Sequence, residues 1–119
     1  MNKTGRKPIL CIDFDGVLHY YRNGWEGPLE INDLPVPGSL DFINNAMDYF
    51  EIIVLTSRAC DNESIEAIKQ WLEKHNFPKL EVTNKKPPAF LSIDDRALRF
   101  DGIFLNPKEL IKFKPWNRE

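Results

Sequence analysis

Apolar residues fall in short, bounded runs along this chain. Ile9-Leu10-Cys11-Ile12 leads into Asp13-Phe14-Asp15-Gly16, Ile52-Ile53-Val54-Leu55 into Thr56-Ser57-Arg58, and Phe90-Leu91-Ser92-Ile93 into Asp94-Asp95. Short runs of this density, closed by polar residues, suit strands buried on both faces. They predict strands over 9–14, 52–55 and 90–93, with a further short strand at Leu80-Glu81-Val82. Between the first and second runs, Leu40, Ile43 and Met47 recur on one face after Pro37-Gly38-Ser39, which predicts a helix there. Between the second and third, Ile65, Ile68 and Leu72 recur at helical spacing with Trp71 beside them. Asp61 is placed to cap that helix, Glu63 and Glu66 favour its positive end, and Pro78 prevents its continuation. His75 then reads as a solvated helix-end residue. Arg99-Phe100 and Ile103-Phe104-Leu105 predict a small fifth strand or hairpin turning at Asp101-Gly102, and Asn106-Pro107 opens a last helix through about Phe113. Strands alternating with helices predict right-handed crossovers and an α/β, three-layer, Rossmann-like fold: a mainly parallel sheet with helices on both faces.

Residues 17–36 break this rhythm. Gly24, Gly27, Pro28 and Pro35, with Tyr20, Tyr21 and Trp25 among them, predict a turn-rich flap or hairpin. The chain's 119 residues suffice for one domain, 1–119, and its 42% hydrophobic content predicts a folded one. A formal net charge of -2 argues against broad attraction to nucleic acid or membrane. No apolar run approaches the roughly 18–20 residues that cross a bilayer. The basic start, Met1 to Pro8, lacks a signal-peptide core, so a cytoplasmic protein is expected. Lys108, Lys112, Lys114 and Arg118 read as a solvated face in preference to a docking site for a phosphate-rich partner. The two cysteines do not suggest a disulfide framework: Cys11 reads as a small hydrophobe in the first strand, and Cys60 has no His partner to make it a nucleophile.

Carboxylates beside a buried strand are unfavourable unless their charge is compensated. In a parallel sheet the carboxyl ends of the strands share one edge, where ligands bind. That edge would collect Asp13 and Asp15, Thr56 and Ser57, and Asp94 and Asp95, with Lys85 and Lys86 in the loop before the last strand. Oxygen donors of this kind suit Mg²⁺, and a hydroxyl, backbone N–H groups and a lysine suit a transferring phosphoryl group. Plainer readings exist for each: turn formers before Gly16 for the first pair, a helix cap for Thr56, and a cap paired with Arg96 or Arg99 for Asp94-Asp95.

Taken in order, Asp13-Phe14-Asp15-Gly16-Val17, Thr56, a lysine and Asp94-Asp95 resemble the four-motif pattern of the haloacid dehalogenase-like (HAD) hydrolase superfamily over residues 9–105. Lys86-Pro87-Pro88-Ala89 and Ile93-Asp94-Asp95-Arg96-Ala97 resemble a subgroup of small bacterial and phage members. The resemblance implies a HAD-type fold and a Mg²⁺-dependent phosphatase. Asp13 would be the nucleophile, forming an aspartyl-phosphate. Asp15 would be acid and base, with its carbonyl on the metal. Thr56, with Ser57 beside it, would hold the phosphoryl group. Lys86, in preference to Lys85, would neutralise charge, and Asp94 and Asp95 would bind the metal. An aspartate at position 15 favours phosphoryl over carbon–halogen chemistry.

No gap between the motifs holds a separate cap domain, so the resemblance implies an open site. Such a site serves a large phosphorylated substrate, such as a protein or nucleic-acid end, or is closed by oligomerisation. His19, Tyr20, Arg22 and Trp25 are candidates for substrate contact, against ordinary packing of the flap. The competing expectation is a non-catalytic or regulatory phosphate- and metal-binding module on the same fold. A receiver-type signalling domain is disfavoured because the lysines precede Asp94-Asp95.

Overall fold

The computed structural model describes residues 6–117; residues 1–5, Arg118 and Glu119 lie outside it, and with them part of the basic N-terminal stretch. The first apolar run forms β1 (Ile9–Asp13), and the chain continues through α1 (Ser39–Ala46), β2 (Glu51–Leu55), α2 (Asn62–Lys74), β3 (Glu81–Thr83), β4 (Leu91–Ile93) and α3 (Pro107–Leu110). The four strands make one sheet in the order β3-β2-β1-β4, and every pairing is parallel. β1 is therefore internal, flanked by β2 and β4. The register sets Asp13 opposite Leu55 and Ile12 opposite Ile93, so the carboxyl ends of the three strands lie level.

Side-chain alternation divides the sheet into two faces. Leu10, Ile12, Ile52, Val54 and Val82 turn to one face and join Ile43 and Ala46 of α1 with Ile68, Trp71 and Leu72 of α2 in one buried cluster. Cys11 and Ile53, paired across β1 and β2, turn to the other face and are buried outside that cluster. None of the four residues of α3 is buried, so α3 does not supply a helical layer over the second face. The structure is thus a small α/β protein with an all-parallel four-stranded sheet and three helices.

Local signals explain the helix boundaries. The Asp61 side chain accepts from the Ser64 N–H at 2.8 Å and caps α2. At its far end Asn76 takes a left-handed backbone (φ 68) two residues before Pro78. His75, expected to be solvated, lies half-buried with its ring 4.5 Å from that of Trp71. Asn106 caps α3 by accepting from the Lys108 N–H at 2.9 Å, but the helix ends at Leu110, not Phe113.

Two expectations change. The Asp101-Gly102 turn forms, with Asp101 accepting from the Ile103 N–H at 3.1 Å, but no strand flanks it among the described residues. Leu98, Phe100, Ile103, Phe104 and Leu105 stay exposed. β4 pairs only with β1 and so keeps a free edge, but residues 99–105 do not add to it: strand composition alone does not fix pairing. The flap at 17–36 is no regular hairpin either. Single bridges link Asp15 with His19 and His19 with Pro35, and backbone bonds join Tyr20 to Leu34 and Val36 to Leu18. Its glycines and prolines prevent a longer ladder. Among the described residues no helix is long and apolar enough to cross a membrane.

Candidate functional site

β1 and β4 run side by side, so their end carboxylates meet. Asp13, Asp94 and Asp95 each offer an oxygen within 4.8 Å of the others. Gly16 makes this approach feasible. Its backbone is left-handed (φ 86), and a Cβ there would stand 2.1 Å from Asp95 Oδ2. Asp13 Oδ1 accepts from the Phe14 N–H at 2.8 Å, and Asp94 Oδ1 from the Arg96 N–H at 2.8 Å. That second bond closes a turn and no helix follows it, so the plainer reading of a helix cap does not hold at Asp94-Asp95. Two unit charges of like sign about 4 Å apart repel by roughly 4 kcal/mol at an effective dielectric near 20. The structure shows the result at Asp13. Burial, a hydrogen bond with Asp95 and the charge of Asp94 push its carboxyl up to about 8, against the pull of the Phe14 amide.

Asp15 lies two residues on and meets the opposite surroundings. Arg58 grips it in two places, Nε donating to Oδ2 at 3.0 Å and Nη2 to Oδ1 at 2.9 Å. Burial opposes the charge on Asp15, but the hydrogen bonds from His19 and Arg58 outweigh it and hold the carboxyl below its ordinary value. His19 Nε2 accepts from the Asp33 N–H at 3.0 Å, so Nδ1 carries the proton it donates to Asp15 Oδ1 at 2.9 Å. His19 is 3% exposed with both nitrogens engaged, which removes it from the candidates for substrate contact.

Arg58 is the residue the sequence reading passed over. It is 1% exposed, and its Nη1 donates to the carbonyls of Gly27 (2.9 Å), Pro28 (3.2 Å) and Glu30 (3.2 Å), while the Trp25 ring lies 4.8 Å from its guanidinium carbon. One side chain from the end of β2 therefore neutralises Asp15 and holds the flap. The sequence offered only an arginine three residues past the apolar run Ile52-Ile53-Val54-Leu55; its burial and its level with Asp15 follow from the register.

The remaining predicted residues divide. Thr56 is buried at the end of β2, with its N–H bonded to the Thr83 carbonyl and its hydroxyl accepting from the Arg58 N–H at 3.2 Å. Ser57 beside it is exposed. Lys86 and Lys85 are exposed, and neither forms an ion pair with Asp13, Asp94 or Asp95 among the described residues. Lys86 does make itself felt at Cys11 on the second face. Cys60 is exposed, its sulfur 3.5 Å from the Ser64 hydroxyl oxygen. Lys108, Lys112 and Lys114 are exposed, and Lys112 meets Glu109 at 3.4 Å in a solvated pair. Comparison with protein-family models, curated proteins and solved structures finds no match to this chain.

Proposed function

We propose that this chain is a divalent-metal-dependent phosphoester hydrolase of the HAD kind, acting through Asp13. The observation that carries this reading is the cluster of Asp13, Asp94 and Asp95, whose mutual repulsion and burial leave Asp13 at about 8. Such a donor set is relieved by a cation, and all-oxygen carboxylate donors match a hard ion such as Mg²⁺. Asp13, Asp94 and Asp95 would hold it, and when bound it would neutralise their charge and polarise a phosphoryl oxygen.

The side chains then have distinct tasks. A carboxylate oxygen of Asp13 forms a bond to phosphorus as the bond to the leaving oxygen breaks, giving an aspartyl-phosphate. Water then attacks phosphorus and frees Asp13. Asp15, kept ionised by Arg58 and His19, is set for the base half of this cycle, where it draws a proton from the attacking water. To protonate the leaving oxygen in the first half it must first take up a proton. The Ser57 hydroxyl and the turn at Thr56-Ser57-Arg58 supply donors for the phosphoryl oxygens, and Lys86 reaches the charge once substrate is present. The fold is the capless form of the family, with the flap as the nearest wall and a phosphorylated molecule as partner.

Hydrolysis of p-nitrophenyl phosphate with and without Mg²⁺, in the wild type and Asp13→Asn, tests the proposal. Turnover that needs the metal and vanishes in the variant supports it; full activity of Asp13→Asn rejects Asp13 as nucleophile. The rival is a metal-binding module without turnover. It draws on Asp15, both of whose oxygens are already engaged. Saturable Mg²⁺ binding with no hydrolysis across phosphoesters, oligonucleotide ends included, would favour the module.

A further inference from the structure

The last described residues return to the start of the flap. Trp116 Nε1 donates to the Gly16 carbonyl at 2.7 Å, and Asn117 Nδ2 donates to the carbonyls of Tyr20 (2.5 Å) and Tyr21 (3.3 Å). Gly16 is also the residue against which Asp95 Oδ2 is packed. The indole and the acidic cluster thus share one glycine as neighbour. The Trp116 ring lies 5.3 Å from that of Tyr20 at 56°, and the Arg22 guanidinium lies 4.9 Å from the Tyr20 ring centre.

Trp116 is held in place yet remains 54% exposed. Its single polar atom is committed to Gly16, so the surface it offers solvent is apolar ring alone. A fixed, half-exposed indole beside a second aromatic ring and an arginine is suited to stacking, because planar π systems pair with aromatic faces and guanidinium planes. A phosphate monoester bound at the cluster would project its leaving group outward from phosphorus, and Trp116 is bonded to the glycine that lies against Asp95 of that cluster.

We propose that Trp116 and Tyr20 form a subsite for a planar aromatic leaving group, so that the preferred substrates are phosphate monoesters of a nucleoside or aryl alcohol. This deepens the phosphoester-hydrolase reading and rests on it. Asn117, through the Tyr20 and Tyr21 carbonyls, is a positioning residue for the subsite.

The test compares phenyl phosphate, adenosine monophosphate and glycerol phosphate in the wild type, Trp116→Ala and Trp116→Phe. Trp116→Ala should raise KM for the two aromatic esters about tenfold relative to its effect on glycerol phosphate. Trp116→Phe should keep most of the preference. A larger effect on adenosine monophosphate assigns the subsite to a nucleobase, and a larger effect on phenyl phosphate to a simple aryl ring. Equal loss on all three esters, or no loss on any, overturns the proposal. If the wild type hydrolyses none of them, the hydrolase reading fails by itself and binding decides the subsite. Quenching of tryptophan fluorescence by adenosine monophosphate or phenyl phosphate, absent with glycerol phosphate and lost in Trp116→Ala, sustains it. No quenching by either aromatic ester overturns it.

Discussion

Asp13 and Asp15 are separated by a single residue and differ in almost every electrostatic respect. Asp13 faces two other carboxylates and is pushed up to about 8, while Asp15 is gripped by Arg58 and His19 and held below its ordinary value. Both are part-buried, so burial does not distinguish them. The counter-charge does. The Asp15 side is electrostatically complete within the chain, with its cation supplied by Arg58, three residues past β2. On the Asp13 side no ion pair offsets the three carboxylates among the described residues. One half of the strand end is therefore paired within the chain, and the other leaves three carboxylates together that could hold a cation.

The largest blow to this contrast should come from Asp13→Asn, which removes the proposed nucleophile and relieves the repulsion. Phosphoester turnover is expected to fall by about 10³-fold or more. In chelator at pH above about 8 the variant should melt higher than the wild type, since the amide cannot ionise beside Asp94 and Asp95. A variant as active as the wild type would dissolve the distinction between the two aspartates.

On the other side, Arg58→Met should strand the Asp15 carboxylate and three flap carbonyls. Breaking a buried pair in this way costs about 3–5 kcal/mol, readable in urea unfolding. Arg58→Lys should recover only part of the loss, because an ammonium cannot reproduce the two-point grip or reach the same carbonyls. Full recovery by lysine would show that charge alone, and not the planar fork, holds the flap.

The two sides should also respond to pH in opposite directions. The Asp13 value of about 8 lies above its ordinary 3.8, so the stability tied to its proton is fully present below about 4 and is lost as pH rises through about 8. The Asp15 value is lowered, so its contribution is present above the ordinary carboxylate range and lost as pH falls through the depressed value. Thermal melting in chelator should thus decline from about pH 5 to about pH 9, and Asp13→Asn should flatten the decline. Added Mg²⁺ should raise the melting temperature more at the upper end, because binding there displaces less proton. A decline of the same slope in the variant would place the titration elsewhere.

The smallest effect is expected at the hinge between the sides. Gly16→Ala should cost about 1–3 kcal/mol through its left-handed backbone. It should also weaken Mg²⁺ binding, measured by calorimetry, by moving Asp95. Loss of stability with unchanged metal affinity would separate Gly16 from the acidic side.

The sequence made the acidic side far more legible than the clamped one. Apolar runs ending in Asp13, Thr56 and Asp94 announce strand ends, and parallel pairing alone then brings Asp13 and Asp94 together. The cap at Asp61 was equally plain, since capping is local. Arg58 was missed because its partner stands 43 positions away and its role follows from register. The fifth strand was misread for a related reason. Ile103-Phe104-Leu105 has strand composition, but composition does not reveal whether a segment pairs with an available edge such as that of β4. The flap's glycines and prolines disclosed turns and hid the arginine that holds them.

The position of β1 inside the sheet has a consequence for synthesis. A chain emerges from its amino end, and early segments begin to organise before later ones exist. Asp13 and its future clamp partner Arg58 are made well before Asp94 and Asp95, so the nascent polypeptide completes the ion pair first. The acidic half waits for β4, and Trp116 reaches Gly16 later still. The residues of the aspartate–arginine pair are therefore all made before those that complete the acidic cluster, which waits for β4.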